Sequence, residues 1–132
     1  MKRILQFTAL VACAPLKTSF AQKVQLVDDI HTGTNHSYPS CPTEFNGKLY
    51  FSADNGANGI ELFEYDGTNP PSMSFDFNPG QGNSLPTALT SFNGKLLFSG
   101  SSNSTYGLWE YDGLNTPSLL APYLVPNTFS SS

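Results

Sequence analysis

Positive charge is what this chain has least of. Its 132 residues hold six Lys and Arg against ten Asp and Glu, and Arg3 is the one arginine. A surface that binds nucleic acid or anionic lipid works by counterion release and needs clustered cations, so those partner classes are excluded. Cysteine is nearly absent too, with Cys13 and Cys41 alone, so no disulfide framework is expected. Helical periodicity is missing after the first twenty residues, and no later apolar run is long enough to span a bilayer.

The N-terminus carries the features of an export signal. Lys2-Arg3 are followed by an apolar stretch over 4–16, interrupted by Pro15, and by Ser19-Phe20-Ala21 before Gln22. The sequence predicts a signal peptide over 1–21 and a secreted or cell-surface bacterial product. A rival reading is a lipobox at Leu10-Val11-Ala12-Cys13, which would put a lipid on Cys13. Cleavage after Ala21 leaves three lysines against ten carboxylates, and Cys41 as the one thiol. Cys41 is expected as a small, buried strand residue, since it aligns with Ala88 in a second copy of its surroundings.

That second copy organises the rest. Phe45-Asn46-Gly47-Lys48-Leu49-Tyr50-Phe51-Ser52 returns as Phe92-Asn93-Gly94-Lys95-Leu96-Leu97-Phe98-Ser99, and Glu61-Leu62-Phe63-Glu64-Tyr65-Asp66-Gly67 returns as Gly107-Leu108-Trp109-Glu110-Tyr111-Asp112-Gly113. The offset falls from 47 to 46 between the two stretches, as when one loop loses a residue and the flanking strands stay in step. A period of this size marks a repeat or propeller architecture. The units are read as 22–72 and 73–118, with 119–132 the start of a third unit and a frayed tail.

Each unit reads as four short strands. The first is 24–30, matched by 73–77. The second, 41–45 and 87–92, ends at Asn-Gly, a two-residue hairpin signal. The third, 48–53 and 95–100, alternates apolar and polar positions, and the fourth, 61–65 and 108–111, ends at Asp-Gly. The fold class is all-β: two tandem four-stranded propeller-like blades, an incomplete β-propeller. Trp109, aligned with Phe63, is expected as a buried aromatic between sheets.

These motifs resemble the ELWxxDGT repeats of secreted, hyalin-like bacterial proteins, and more distantly kelch-type propeller blades. The repeat motif falls on Glu61, Leu62, Phe63, Asp66, Gly67 and Thr68, and in the second unit on Leu108, Trp109, Asp112 and Gly113, with Gly107 and Leu114 in place of Glu and Thr. The resemblance implies a blade fold. Such proteins carry many repeats, which implies either further repeats or completion of a ring by association, including homo-oligomers.

No catalytic residue and no cofactor site emerges. Glu64 and Glu110 are equivalent in the two units and read as half-exposed strand positions, and Asp66 and Asp112 as caps of turn backbone. The loop Asp54-Asn55-Gly56-Ala57-Asn58-Gly59 has some oxygen ligands for a hard cation, with Asp54 and Asn58 the weak metal candidates. It lacks the acidic residues that complete a calcium loop, so a polar hairpin loop is expected. Asp28-Asp29 beside His31 and His36 read as a solvated loop. The expected function is a secreted, non-enzymatic binding or surface-association module for a glycan or protein partner. The alternatives are a carbohydrate-active enzyme using Glu64 or Glu110, and a purely structural fragment of a longer repeat protein.

Overall fold

In a computed structural model the chain is described over residues 25–123. The signal peptide over 1–21, the thiol of Cys13 and the tail beyond 123 lie outside that range. Eight strands run in order: β1 (Ser40–Phe45), β2 (Lys48–Asp54), β3 (Ile60–Tyr65), β4 (Ser72–Phe75), β5 (Thr87–Phe92), β6 (Lys95–Ser102), β7 (Thr105–Tyr111) and β8 (Ser118–Pro122). They form two antiparallel sheets, β1-β2-β3-β4 and β5-β6-β7-β8. Among the described residues there is no helix, and hence none that could cross a membrane. The chain is all-β, as its alternating patterns require.

The Asn-Gly hairpins form as expected. Phe45 pairs with Lys48 and Phe92 with Lys95 across two-residue turns, with φ of 50° and 73° at Asn46-Gly47 and 53° and 73° at Asn93-Gly94. Two successive left-handed residues match the twist of the flanking strands, and Asn and Gly adopt them most readily. The lost residue falls in the next loop: 55–59 joins β2 to β3, whereas Asn103-Ser104 alone joins β6 to β7.

The strand phasing differs from the sequence expectation. Residues 25–30 form no strand. Ser72–Phe75, expected to open the second unit, instead closes the first sheet against β3, and Ser118–Pro122 closes the second sheet against β7 rather than starting a third unit. Connection length explains this. Six residues, 66–71, lead from β3 to β4, while eleven, 76–86, lead from β4 to β5. A short link makes its two strands antiparallel neighbours, and the longer one crosses to the next sheet.

The two sheets stack head to tail. Along β6 and β7, Leu96, Phe98, Trp109 and Tyr111 share one face, because Leu96 pairs with Tyr111 and Phe98 with Trp109. This face meets the face of sheet one that carries Tyr50 and Leu62, and together with Phe45, Phe77 and Leu89 they make one core. Tyr50 and Tyr111 touch edge to face at 6.0 Å, and Phe77 fills the junction against Phe98 at 5.4 Å and Trp109 at 5.5 Å. The residues of sheet one equivalent to Leu96, Phe98 and Tyr111 are Leu49, Phe51 and Tyr65. They lie on its other face, where Phe51, Ala53 and Phe63 form a second cluster closed by Ile30, Tyr65 and Met73. Each sheet therefore has one face of each kind, and the internal interface joins unlike faces.

Candidate functional site

The outer face of sheet one forms the floor of an apolar cleft of about 350 Å³. Leu49, Phe51 and Tyr65 project into it from β2 and β3, which places them on one face by strand alternation. Leu26, Ile30 and Pro42 line it as well. Pro42 lies in a bulge of β1, where Ser40 pairs with Ser52 and Thr43 with Tyr50, leaving one extra residue on β1. Cys41 occupies that bulge at φ 54° and packs half-buried on the core, and Ala88 repeats it at φ 52°. Asp28 is the carboxylate on the rim. The cleft offers shape and apolar surface, and among the described residues that line it there is no pair of acids.

The carboxylates singled out in the sequence are engaged by neighbours. Glu64 binds Lys48 Nζ at 2.6 Å and accepts from Ser74 Oγ at 3.3 Å. Its hydrogen bond raises the Lys48 pKa, against a smaller lowering by burial. Glu110, its repeat equivalent, accepts from Ser118 Oγ at 3.2 Å. Burial pushes the hydroxyls of Tyr50 and Tyr111 upward, so both remain protonated donors at neutral pH. Asp66 Oδ1 accepts from the amides of Thr68 and Asn69, each at 2.8 Å, and Asp112 does the same for Leu114 and Asn115. The Asn69 side chain, with these amides, holds Asp66 down to about 2. The Asn115 amide, with its side chain and Leu114, does so for Asp112, also at about 2.

The Asp54–Asn58 loop spends its oxygens on itself. Asp54 Oδ1 accepts from Gly56 N at 2.7 Å, and Asn55 Oδ1 accepts from the amides of Ala57 and Asn58, each at 3.0 Å. Asn58 donates to Asp76 Oδ2 at 3.0 Å and accepts from Asn55 at 3.1 Å. The sequence candidates Asp54 and Asn58 thus sit in one polar hairpin loop, joined by a carboxylate from the link between sheets. Among the described residues no three His, Cys, Asp or Glu side chains converge as metal ligands. His31 lies over Gly56, with Nε2 3.4 Å from the Asn35 amide nitrogen, while His36 packs on Tyr38 at 5.7 Å.

One functional side chain has a role that the repeat pattern did not reveal. Glu61 is fully buried and accepts from the amides of Phe77 and Ser84, each at 3.0 Å, and from Ser84 Oγ at 2.6 Å. Burial pushes its pKa up, opposed by these three hydrogen bonds. It ties the link 76–86 back to β3, the strand before the one the link leaves. The available signal was a carboxylate flanked by Ile60, Leu62 and Phe63, at the motif position where the second unit has Gly107. Gly107 has no side chain for that task, and the carbonyl of Ala121 on β8 lies where its Cβ would stand. Comparison of the chain with protein-family models, with curated proteins and with solved structures gave no match.

Proposed function

We propose that this chain is a secreted or cell-surface association module, built of propeller-like blades and binding a protein partner through an outer sheet face, without turnover. The observation that carries this reading is the cleft on sheet one, where Leu49, Phe51 and Tyr65 meet Ile30 and Pro42 around a largely apolar volume. Such a surface suits polypeptide side chains. A glycan site needs several convergent hydrogen-bonding groups beside its aromatic platform, and here Tyr65 stands mostly among apolar neighbours. The resemblance to ELWxxDGT repeats supports the blade reading, as do the four-stranded sheets stacked on unlike faces. The carboxylates of the turns and strands are held by structural partners, which favours binding over glycoside hydrolysis.

A photo-crosslinking residue in place of Leu49, introduced in the native host, tests this. The expected result is a covalent adduct with a polypeptide. An adduct with a glycan alone, or release of reducing sugar that disappears in Glu64→Gln, would overturn it.

A further inference from the structure

We infer that the polypeptide bound at this face is a second copy of the same chain, docked head to tail through a repeat of the internal interface. The inference rests on the binding reading above and names its partner. It starts from equivalent residues that differ in burial. Phe45 is 3% exposed and its counterpart Phe92 is 63% exposed; Leu62 is 0% exposed and its counterpart Leu108 is 39%. On the other kind of face Leu96 is 0% exposed and its counterpart Leu49 38%, while Phe51 and Phe63 are buried within sheet one's own cluster. The side chains are the same, or nearly so. What differs is that sheet two covers one set, and among the described residues nothing of like size covers the other.

The internal interface also supplies polar contacts between positions that recur in the repeat. Thr43 Oγ1 donates to the Leu89 carbonyl at 3.0 Å, and Asn46 Nδ2 to the Asp112 carbonyl at 3.4 Å. The repeat equivalents are Thr90 and Asn93 as donors on sheet two, and the carbonyls of Pro42 and Asp66 as acceptors on sheet one. Thr90 turns back on Ala88 at 3.3 Å. Gly113 is packed by Phe45, Asn46 and Tyr50, whereas Gly67, with the same φ of 86°, has open space around it. A second copy that places Thr90, Phe92, Asn93 and Leu97 against Pro42, Asp66, Gly67 and Tyr65 repeats these pairs.

The same residues favour a separate copy over a unit continuing along one chain. The link between sheets is tied down by Glu61, and Gly107 removes that tether from the end of sheet two. A second copy needs no such link, because its own lead-in is bound to its own sheet: Asp54 N donates to the Ser37 carbonyl at 2.8 Å, as Ser101 N does to Ser84 at 2.9 Å. Residues 25–28, which correspond to β4, would meet the β8 of the docked copy. They lie outside any ladder, with Leu26 76% exposed, and give way at little cost. Unlike faces joined in this manner close a ring when the rotation permits. Propellers of about four to eight blades correspond to about two to four copies of this two-sheet chain.

The test is sedimentation of the purified chain at tens of micromolar, with Phe92→Glu and Leu49→Glu variants whose far-UV spectra match the parent. The parent is expected to sediment at about two to four times the single-chain mass. Each variant is expected to sediment as a single chain, and their equimolar mixture as a pair and nothing larger, since one intact face of each kind remains. A photo-crosslink from Leu49 should then map to the 90–97 region of a second copy, which keeps the proposal testable should a variant misfold. A single-chain parent, a mixture that does not pair, or an assembly indifferent to both variants would overturn it. A single-chain parent whose Leu49 crosslinks a different polypeptide in the host would remove the second copy and leave the binding reading in place.

Discussion

Side chains at two kinds of position set this protein's response to acid. Asp66 and Asp112 each cap a turn by accepting from two amides and an asparagine side chain, and both titrate at about 2 instead of 3.8. Because the folded value is depressed, the capping contribution is complete above the unfolded pKa and is lost as pH falls from about 4 towards 2. Carboxyl chemical shifts should give midpoints near 2 for both, and Asn69→Ala should raise that of Asp66 while leaving Asp112 unmoved. Equal midpoints before and after that change would remove the asparagine from the account. Glu61 has the opposite sign: burial raises it, so its ionisation weakens the fold as pH rises through its folded pKa. It is nonetheless needed as an acceptor. Glu61→Ala leaves the amides of Phe77 and Ser84 without their carboxylate, at about 1–3 kcal/mol for each donor left unpaired. Ser84 N keeps the Ile60 carbonyl at 3.0 Å, so urea unfolding should show a loss of about 1–3 kcal/mol, from Phe77 N. No loss would mean that water takes over at Phe77 N.

Strands and turns were legible where the chemistry is local. Asn46-Gly47 and Asn93-Gly94 specified two hairpins because their φ values are intrinsic to those residue types. The deletion between Ser99 and Leu108 located a loop, since a ladder cannot lose one residue without turning every side chain over. Legibility ended where a strand had to choose its neighbour. Ser72–Phe75 lies between Pro70-Pro71 and the link 76–86, and its residues fit an edge strand of either sheet. The decision rests on link length and on Glu61 binding Phe77 N, neither of which is written in strand periodicity. The bulge at Cys41 and Ala88 was equally silent, because left-handed backbone is disfavoured for both residue types and is imposed by pairing on either side. The candidate site was half legible. Leu49, Phe51 and Tyr65 could be placed on one face from alternation, while the lining by Leu26 and Ile30 required the missing first strand to be seen as a lead-in.

Across the whole molecule, one core serves both sheets, so they should not unfold separately. Trp109 stands at that junction, half-buried, with Nε1 donating to the Gly100 carbonyl at 3.0 Å and its ring against Phe77. Trp109→Ala should lower stability by about 3 kcal/mol, as large-to-small changes in cores do. Far-UV dichroism should still show one transition, because the loss is felt through a shared cluster. Two resolved transitions would mean that the sheets are independent units in contact.

Stacking through unlike faces has a consequence for how such a chain can grow. A surface that fits the reverse side of its own repeat needs no new complementarity when the unit is duplicated, because the copy arrives already matched to its neighbour. The part that must be rebuilt each time is the joint. Here the joint is one carboxylate, and at the equivalent Gly107 a Glu could act only if β8 ceased to run on beside it. Duplication of such a blade is therefore limited at the joint, while its two faces are matched from the start.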